Sequence, residues 1–140
     1  MRCGECGSKN LKKQNICGRS FVWKDYVAAK MTQDLNLIVC QECQNIIVKS
    51  GENKLIDEAI EKSISEQIRV AILNIRTDHN CEQKEIALRL GVTPEYLSEV
   101  KSGRALPSFQ FFNFLKTIAI DHRAFKAADA KTSIDMAGAS

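Results

Sequence analysis

Four of the six cysteines fall in two pairs, Cys3-Gly4-Glu5-Cys6 and Cys40-Gln41-Glu42-Cys43, with 33 residues between them. A Cys-x-x-Cys turn aims two sulfurs at one point. Two such turns close a tetrahedron around a zinc ion, with metal–sulfur distances of roughly 2.3 Å. Gly7, directly after Cys6, permits the positive φ that lets backbone N–H groups face the sulfurs. Lys9, Lys12 and Lys13 lie close enough in the chain to offset the negative charge. Four thiolates leave no coordination position for water, so the pattern predicts one structural Zn2+ per chain, held by Cys3, Cys6, Cys40 and Cys43. A lone pair would keep thiol–disulfide chemistry in play. Two pairs without a thioredoxin-like βαβ pattern weigh against it.

The remaining candidate ligands are less organised. Cys17 lacks a partner at the same spacing and reads as a turn or packing residue, and Cys81 reads as a buried thiol. His79 and His122 are isolated in the sequence and read as surface or capping residues.

The metal reading carries the compartment with it. A cytosolic chain uses cysteines for metal or packing, a secreted one for disulfides. The N-terminus, Met1-Arg2-Cys3-Gly4-Glu5, has no apolar signal-peptide core, and no apolar run reaches the roughly 18 residues of a membrane span. The expectation is a cytoplasmic protein with no membrane partner.

A chain of 140 residues suits one domain or two very small ones. The composition shifts near Ser50-Gly51. Before it, Ser20–Val27, Leu35–Val39 and Ile46–Val48 read as strands rich in aromatic and β-branched residues. A sheet this small needs a staple. From Glu52 the apolar spacing becomes helical. Leu55, Ala59 and Ile60 share one face, and Ile68, Ala71, Ile72 and Ile75 form a second stripe. Ser63 followed by Glu66 fits a capping box opening a second helix, so residues 52–78 read as one helix or two. The predicted fold is α+β: a β-rich zinc-stapled domain (1–50), a helical linker (51–64), an all-α five-helix domain (65–126) and a flexible tail (127–140).

Within the helical half, residues 83–103 read as a helix-turn-helix. Ile86, Ala87 and Leu90 face one way, and Ala87 is small enough for another helix to cross closely. Gly91 ends the first helix in the left-handed conformation and Val92 fills the corner. Thr93 is an N-cap and Pro94 a first-turn residue for the second helix. Leu97 and Val100 bury that helix, and Gly103 terminates it. A further helix starts at Ser108, after Pro107. Its Phe109, Phe111, Phe112 and Phe114 exceed what one face can bury, which reads equally as a dimer contact or as core filling.

The stretch from Gly91 to Ser108 resembles the Cro/CI-like (Xre) helix-turn-helix regulators, and the resemblance covers about residues 65–120. It implies that the second helix enters the major groove of double-stranded DNA. Pro94, Glu95, Tyr96 and Glu99 would then face base edges, where a glutamate can accept from cytosine N4. Gln83, Thr93, Ser98, Lys101, Ser102 and Arg104 would lie toward phosphates, which set register. With the four cysteines added, most of the chain resembles the MqsA/YgiT-type antitoxins. That implies a homodimer that represses its own operon at a palindromic operator, with a zinc domain that contacts a toxin protein. Glu95 and Glu99 depart from the Asn and Arg found at those positions in better-known members.

The net charge of +3 is distributed as +4 over residues 1–51, −2 over 52–79 and +1 over 80–140. A zinc tetrathiolate lowers the first figure to about +2, so charge alone does not mark a polyanion trap. Ser/His/Asp sets, paired catalytic carboxylates and phosphate loops are all missing from the pattern, so the expectation is a non-enzyme. A stand-alone regulator of a phage or mobile element, and a zinc-stapled adaptor with little DNA affinity, stay open beside the antitoxin.

Overall fold

A computed structural model describes residues 1–128. The fold is α+β as expected: small sheets with a cysteine cluster, followed by a five-helix region. Contacts divide the chain into two units, residues 1–64 and residue 65 onward, and the division falls inside one long helix.

The first unit holds five strands: β1 (Leu11–Asn15), β2 (Ser20–Trp23), β3 (Tyr26–Lys30), β4 (Asn36–Cys40) and β5 (Ile46–Ile47). The middle strand of a three-stranded antiparallel sheet is β4, paired with β1 in the register Leu11↔Cys40 and with β5 in the register Val39↔Ile46. Leu37 and Val39 alternate onto its buried face. β1 escapes the sequence reading because Lys12, Lys13, Gln14 and Asn15 are all exposed and only Leu11 is half-buried. Its place is fixed by pairing with β4.

The run Ser20–Val27 is not a single strand. It folds back at Lys24-Asp25, where Lys24 takes φ 49°, to make the β2–β3 hairpin. Phe21 pairs with Ala29 and Trp23 with Tyr26, so β3 carries one extra residue, a bulge. The bulge leaves Tyr26 and Ala29 buried and Val27 exposed.

Helix α1 (Glu52–His79) is continuous. The Glu52 carboxylate accepts the Lys49 N–H at 2.7 Å at its start, and Asn80, at φ 47°, closes its end. The expected capping box does not form. Ser63 is buried within the helix, where its hydroxyl donates to Ala59 O at 2.7 Å and accepts the Thr32 N–H at 2.9 Å. Ile60 and Ile64 join the core of the first unit, while Leu55 is half exposed and lies off that face.

In the second unit, α1 from Ser65 is followed by α2 (Gln83–Leu90), α3 (Pro94–Ser102), α4 (Phe109–Ile120) and α5 (His122–Ala127). Ile68, Ala71, Ile72 and Ile75 supply the α1 stripe, and Ile86, Ala87, Leu97, Val100, Phe112, Leu115, Ile118 and Phe125 complete the core. The Ser108 hydroxyl caps α4 by accepting the Phe111 N–H, and the Asp121 carboxylate caps α5. Of the four phenylalanines of α4, Phe112 is buried, Phe109 and Phe111 are half-buried and Phe114 is exposed. The expected tail lies outside the described residues from position 129 onward.

Candidate metal centre and nucleic-acid interface

The two Cys-x-x-Cys turns are built alike. Gly7 donates its N–H to Cys3 O at 2.9 Å, and Gln44 donates to Cys40 O at 2.8 Å. The N–H of Cys3 donates to Ser8 O, and that of Cys40 to Asn45 O, both at 2.9 Å. Both turns need a left-handed residue four positions after the first cysteine. Gly7 supplies φ 75°, and Gln44 supplies φ 64° at the cost of an unfavourable conformation for a side chain. The glycine is the visible half of this repeat, while the equivalence of Gln44 appears only when the turns are compared.

These turns bring Cys3, Cys6, Cys40 and Cys43 together, with all four sulfurs within 4.8 Å of one another. Sulfurs from opposite turns approach most closely, Cys3 to Cys43 and Cys6 to Cys40, each at 3.5 Å. A tetrahedral zinc tetrathiolate has sulfur–sulfur edges of about 3.8 Å, from metal–sulfur bonds of roughly 2.3 Å. The cluster is therefore the right size to hold a metal ion.

Its electrostatics favour a cation as well. The backbone N–H groups of Cys6 and Glu5 hold the Cys3 thiol down to about 6. The N–H of Cys43 lowers Cys40 in the same way. At Cys43 the Asn45 N–H pulls downward, but burial and the three neighbouring sulfurs outweigh it and push the thiol up to about 12. Cys6 is also raised: the Ser8 N–H is outweighed by the Cys40 sulfur and burial. Four adjacent negative charges repel, and a divalent ion at their centre removes that opposition.

Cys17 stands apart from this cluster. It is exposed, and its N–H donates to Asn15 Oδ1 in a turn. Cys81 is half-buried, and burial pushes its thiol up.

In the second unit, α2 and α3 follow one another across a short turn, with Gly91, Thr93, Pro94 and Gly103 at the helix ends expected of them. Gly91 takes φ 75° and donates to Ala87 O and Leu88 O. Thr93 Oγ1 accepts the Tyr96 N–H at 3.1 Å, and Pro94 opens α3. Leu97 and Val100 are fully buried beneath it. Gly103 ends α3 at φ 85°, and a Cβ there would stand 3.0 Å from Ser65 Oγ.

The residues expected at DNA divide into three groups. Pro94, Glu95, Ser98, Glu99 and Arg104 are exposed and line one shallow depression along α3. Gln83 and Lys101 are half-buried and joined to each other, with Lys101 Nζ donating to Gln83 Oε1 at 3.1 Å. Thr93, Tyr96 and Ser102 are engaged within the fold. The Thr93 hydroxyl is the cap, and the Tyr96 ring meets Phe111 edge-on at 5.6 Å. Ser102 Oγ donates to Glu99 O and accepts from Arg104 Nε, which steers that guanidinium.

His79 and His122 are not isolated. Their rings lie 4.9 Å apart, and His122 Nε2 is 3.1 Å from Asp78 Oδ2. Arg89 has a local role unsuspected from sequence: its Nη1 donates to the carbonyls of Phe125, Lys126 and Ala128 at the end of α5.

No protein-family model matches the chain, and no curated protein matches it. Among the described residues, no helix is long and apolar enough to cross a membrane.

Proposed function

We propose that this protein is a DNA-binding transcriptional repressor and the antitoxin of a toxin–antitoxin pair. In this reading α3 enters the major groove of a palindromic operator, and the protein binds as a homodimer. The cysteine cluster holds one structural zinc ion, and the zinc-stapled unit binds the toxin. The protein works by binding and is not an enzyme.

One observation carries the DNA reading. The helix α3 is pinned by Leu97 and Val100 on its inner side, while Pro94, Glu95, Ser98 and Glu99 stand free on its outer side. That division is what a recognition helix requires: a rigid seat and an exposed first turn. Arg104, just past Gly103, adds a cation beside that face.

Glu95 and Glu99 favour one competing reading, a protein-binding adaptor, because each carboxylate repels phosphate unless it accepts from a base. A binding titration with DNA from upstream of the protein's own gene, at low and physiological salt, separates the two. A shift that competitor DNA of unrelated sequence does not remove is the expected result. Absence of binding at low salt by metal-loaded protein overturns the repressor reading.

A further inference from the structure

The joint between the end of α1 and α5 contains the two histidines of the chain, neither of them used by the metal cluster or by α3. His79 is the last residue of α1. Its ring lies 4.1 Å from that of Phe125, a buried residue of α5, and 4.9 Å from that of His122. Its Nε2 is buried and has no hydrogen-bond partner among the described residues. A neutral imidazole tolerates this setting as an aromatic packing residue. An imidazolium donates from both ring nitrogens, so the buried Nε2 would carry an N–H with no acceptor.

The surrounding charges act against a proton on His79. From α5, His122 and Lys126 face it; from α2, Arg89 does, with its guanidinium 4.9 Å from the Phe125 ring. The opposing charge is Asp78 on α1, and that carboxylate is already engaged by His122 at 3.1 Å. Glu85 is paired with Arg89 at 3.6 Å. Burial first, then His122, holds His79 below its ordinary value, and Asp78 opposes them only in part.

We propose that His79 is a proton-operated latch: neutral, it seats α5 on the end of α1, and protonated, it lets α5 go. The sign follows from linkage. A histidine held low in the folded state favours docking above its ordinary value near 6.5, and this contribution is lost as the pH falls through the depressed value. Release of α5 would also free Arg89, a residue of α2, from the three carbonyls it caps. The latch thus reports to the helix beside α3, and it stands whether or not α3 binds DNA.

The test is solvent-exchange NMR on the full chain between pH 7.5 and 5.5, corrected for intrinsic exchange. The probes are the amides of Phe125, which donates to Asp121 O, and Ala128, which donates to Ala124 O. Opening of α5 is expected to increase by up to about tenfold per pH unit below 6.5, while Leu115 and Ile118 in α4 stay protected. His79→Phe keeps the aromatic packing and is expected to flatten the response. If that variant does not fold, His122→Gln, which removes the facing imidazole, is expected to shrink it. Constant protection of α5 in the parent chain overturns the proposal. So does an undiminished pH response in the folded variant, or equal loss of protection in α4.

Discussion

The indole Nε1 of Trp23 donates to Asp57 Oδ1 at 2.9 Å, tying the β2–β3 hairpin to the first half of α1. Lys24 strengthens the tie, with its ammonium 4.6 Å over the same indole and 3.8 Å from Glu61. Asp57→Ala leaves the largely buried indole N–H without its acceptor, a loss of about 1–3 kcal/mol. The measurement is chemical denaturation followed by Trp23 fluorescence. Asp57→Asn, which keeps an acceptor, should recover most of the loss.

The same tryptophan, the only one in the chain, reports on metal removal. Elemental analysis of purified protein should give about one zinc per chain. A strong chelator should change Trp23 emission while most helical circular dichroism remains, because the core of the second unit contains none of the four ligands. Cys40→Ser should reproduce the chelated spectrum without chelator. Retention of a full equivalent by that variant would rule out the four-sulfur assignment.

The cysteine cluster and the helix-turn-helix were legible because both depend on short spacings. Two cysteines three apart, or Gly91 beside Thr93-Pro94, dictate local geometry wherever the rest of the chain goes. What was hidden is non-local. Polar β1 is a strand only because β4 lies beside it, and Ser63 looks like a helix cap until Thr32 is brought to its hydroxyl. His79 and His122 become neighbours only when α5 folds back on α1. For the residues expected at DNA, spacing found the exposed face with Glu95, Ser98 and Glu99. It did not show that Thr93, Tyr96 and Ser102 are occupied by capping, ring packing and the placement of Arg104.

Two glycines should respond differently to alanine for reasons that can be separated. At Gly7 an added Cβ meets no atom within 4 Å, so only the positive φ opposes it, a cost of roughly 1–2 kcal/mol. At Gly103 the same backbone cost is joined by the 3.0 Å approach to Ser65 Oγ. Thermal unfolding of Gly103→Ala should therefore show the larger loss, and adding Ser65→Ala should return part of it. Strict additivity of those two changes would mean that Ser65 moves aside freely.

At the α3 face, the proposed function gives Arg104 and Glu99 different signatures. Arg104→Ala should weaken all DNA sequences about equally and reduce the salt slope by about one. Glu99→Gln should instead change which base is preferred, since an amide both donates and accepts. Binding-site selection with the two variants distinguishes these outcomes. Identical preferences for Glu99→Gln and the parent chain would remove Glu99 from base reading.

The matched turns at Cys3 and Cys40 each keep their own backbone hydrogen bonds, so each pair of sulfurs is arranged by bonds local to its own turn. What an ion adds is closure of the 33-residue loop between Cys6 and Cys40. By chain-entropy reasoning, a cross-link over a loop of that size is worth about 4 kcal/mol. An ion in this site acts as a detachable cross-link, imposing on the N-terminal unit the constraint of a disulfide while leaving every sulfur reduced and the closure reversible by metal supply.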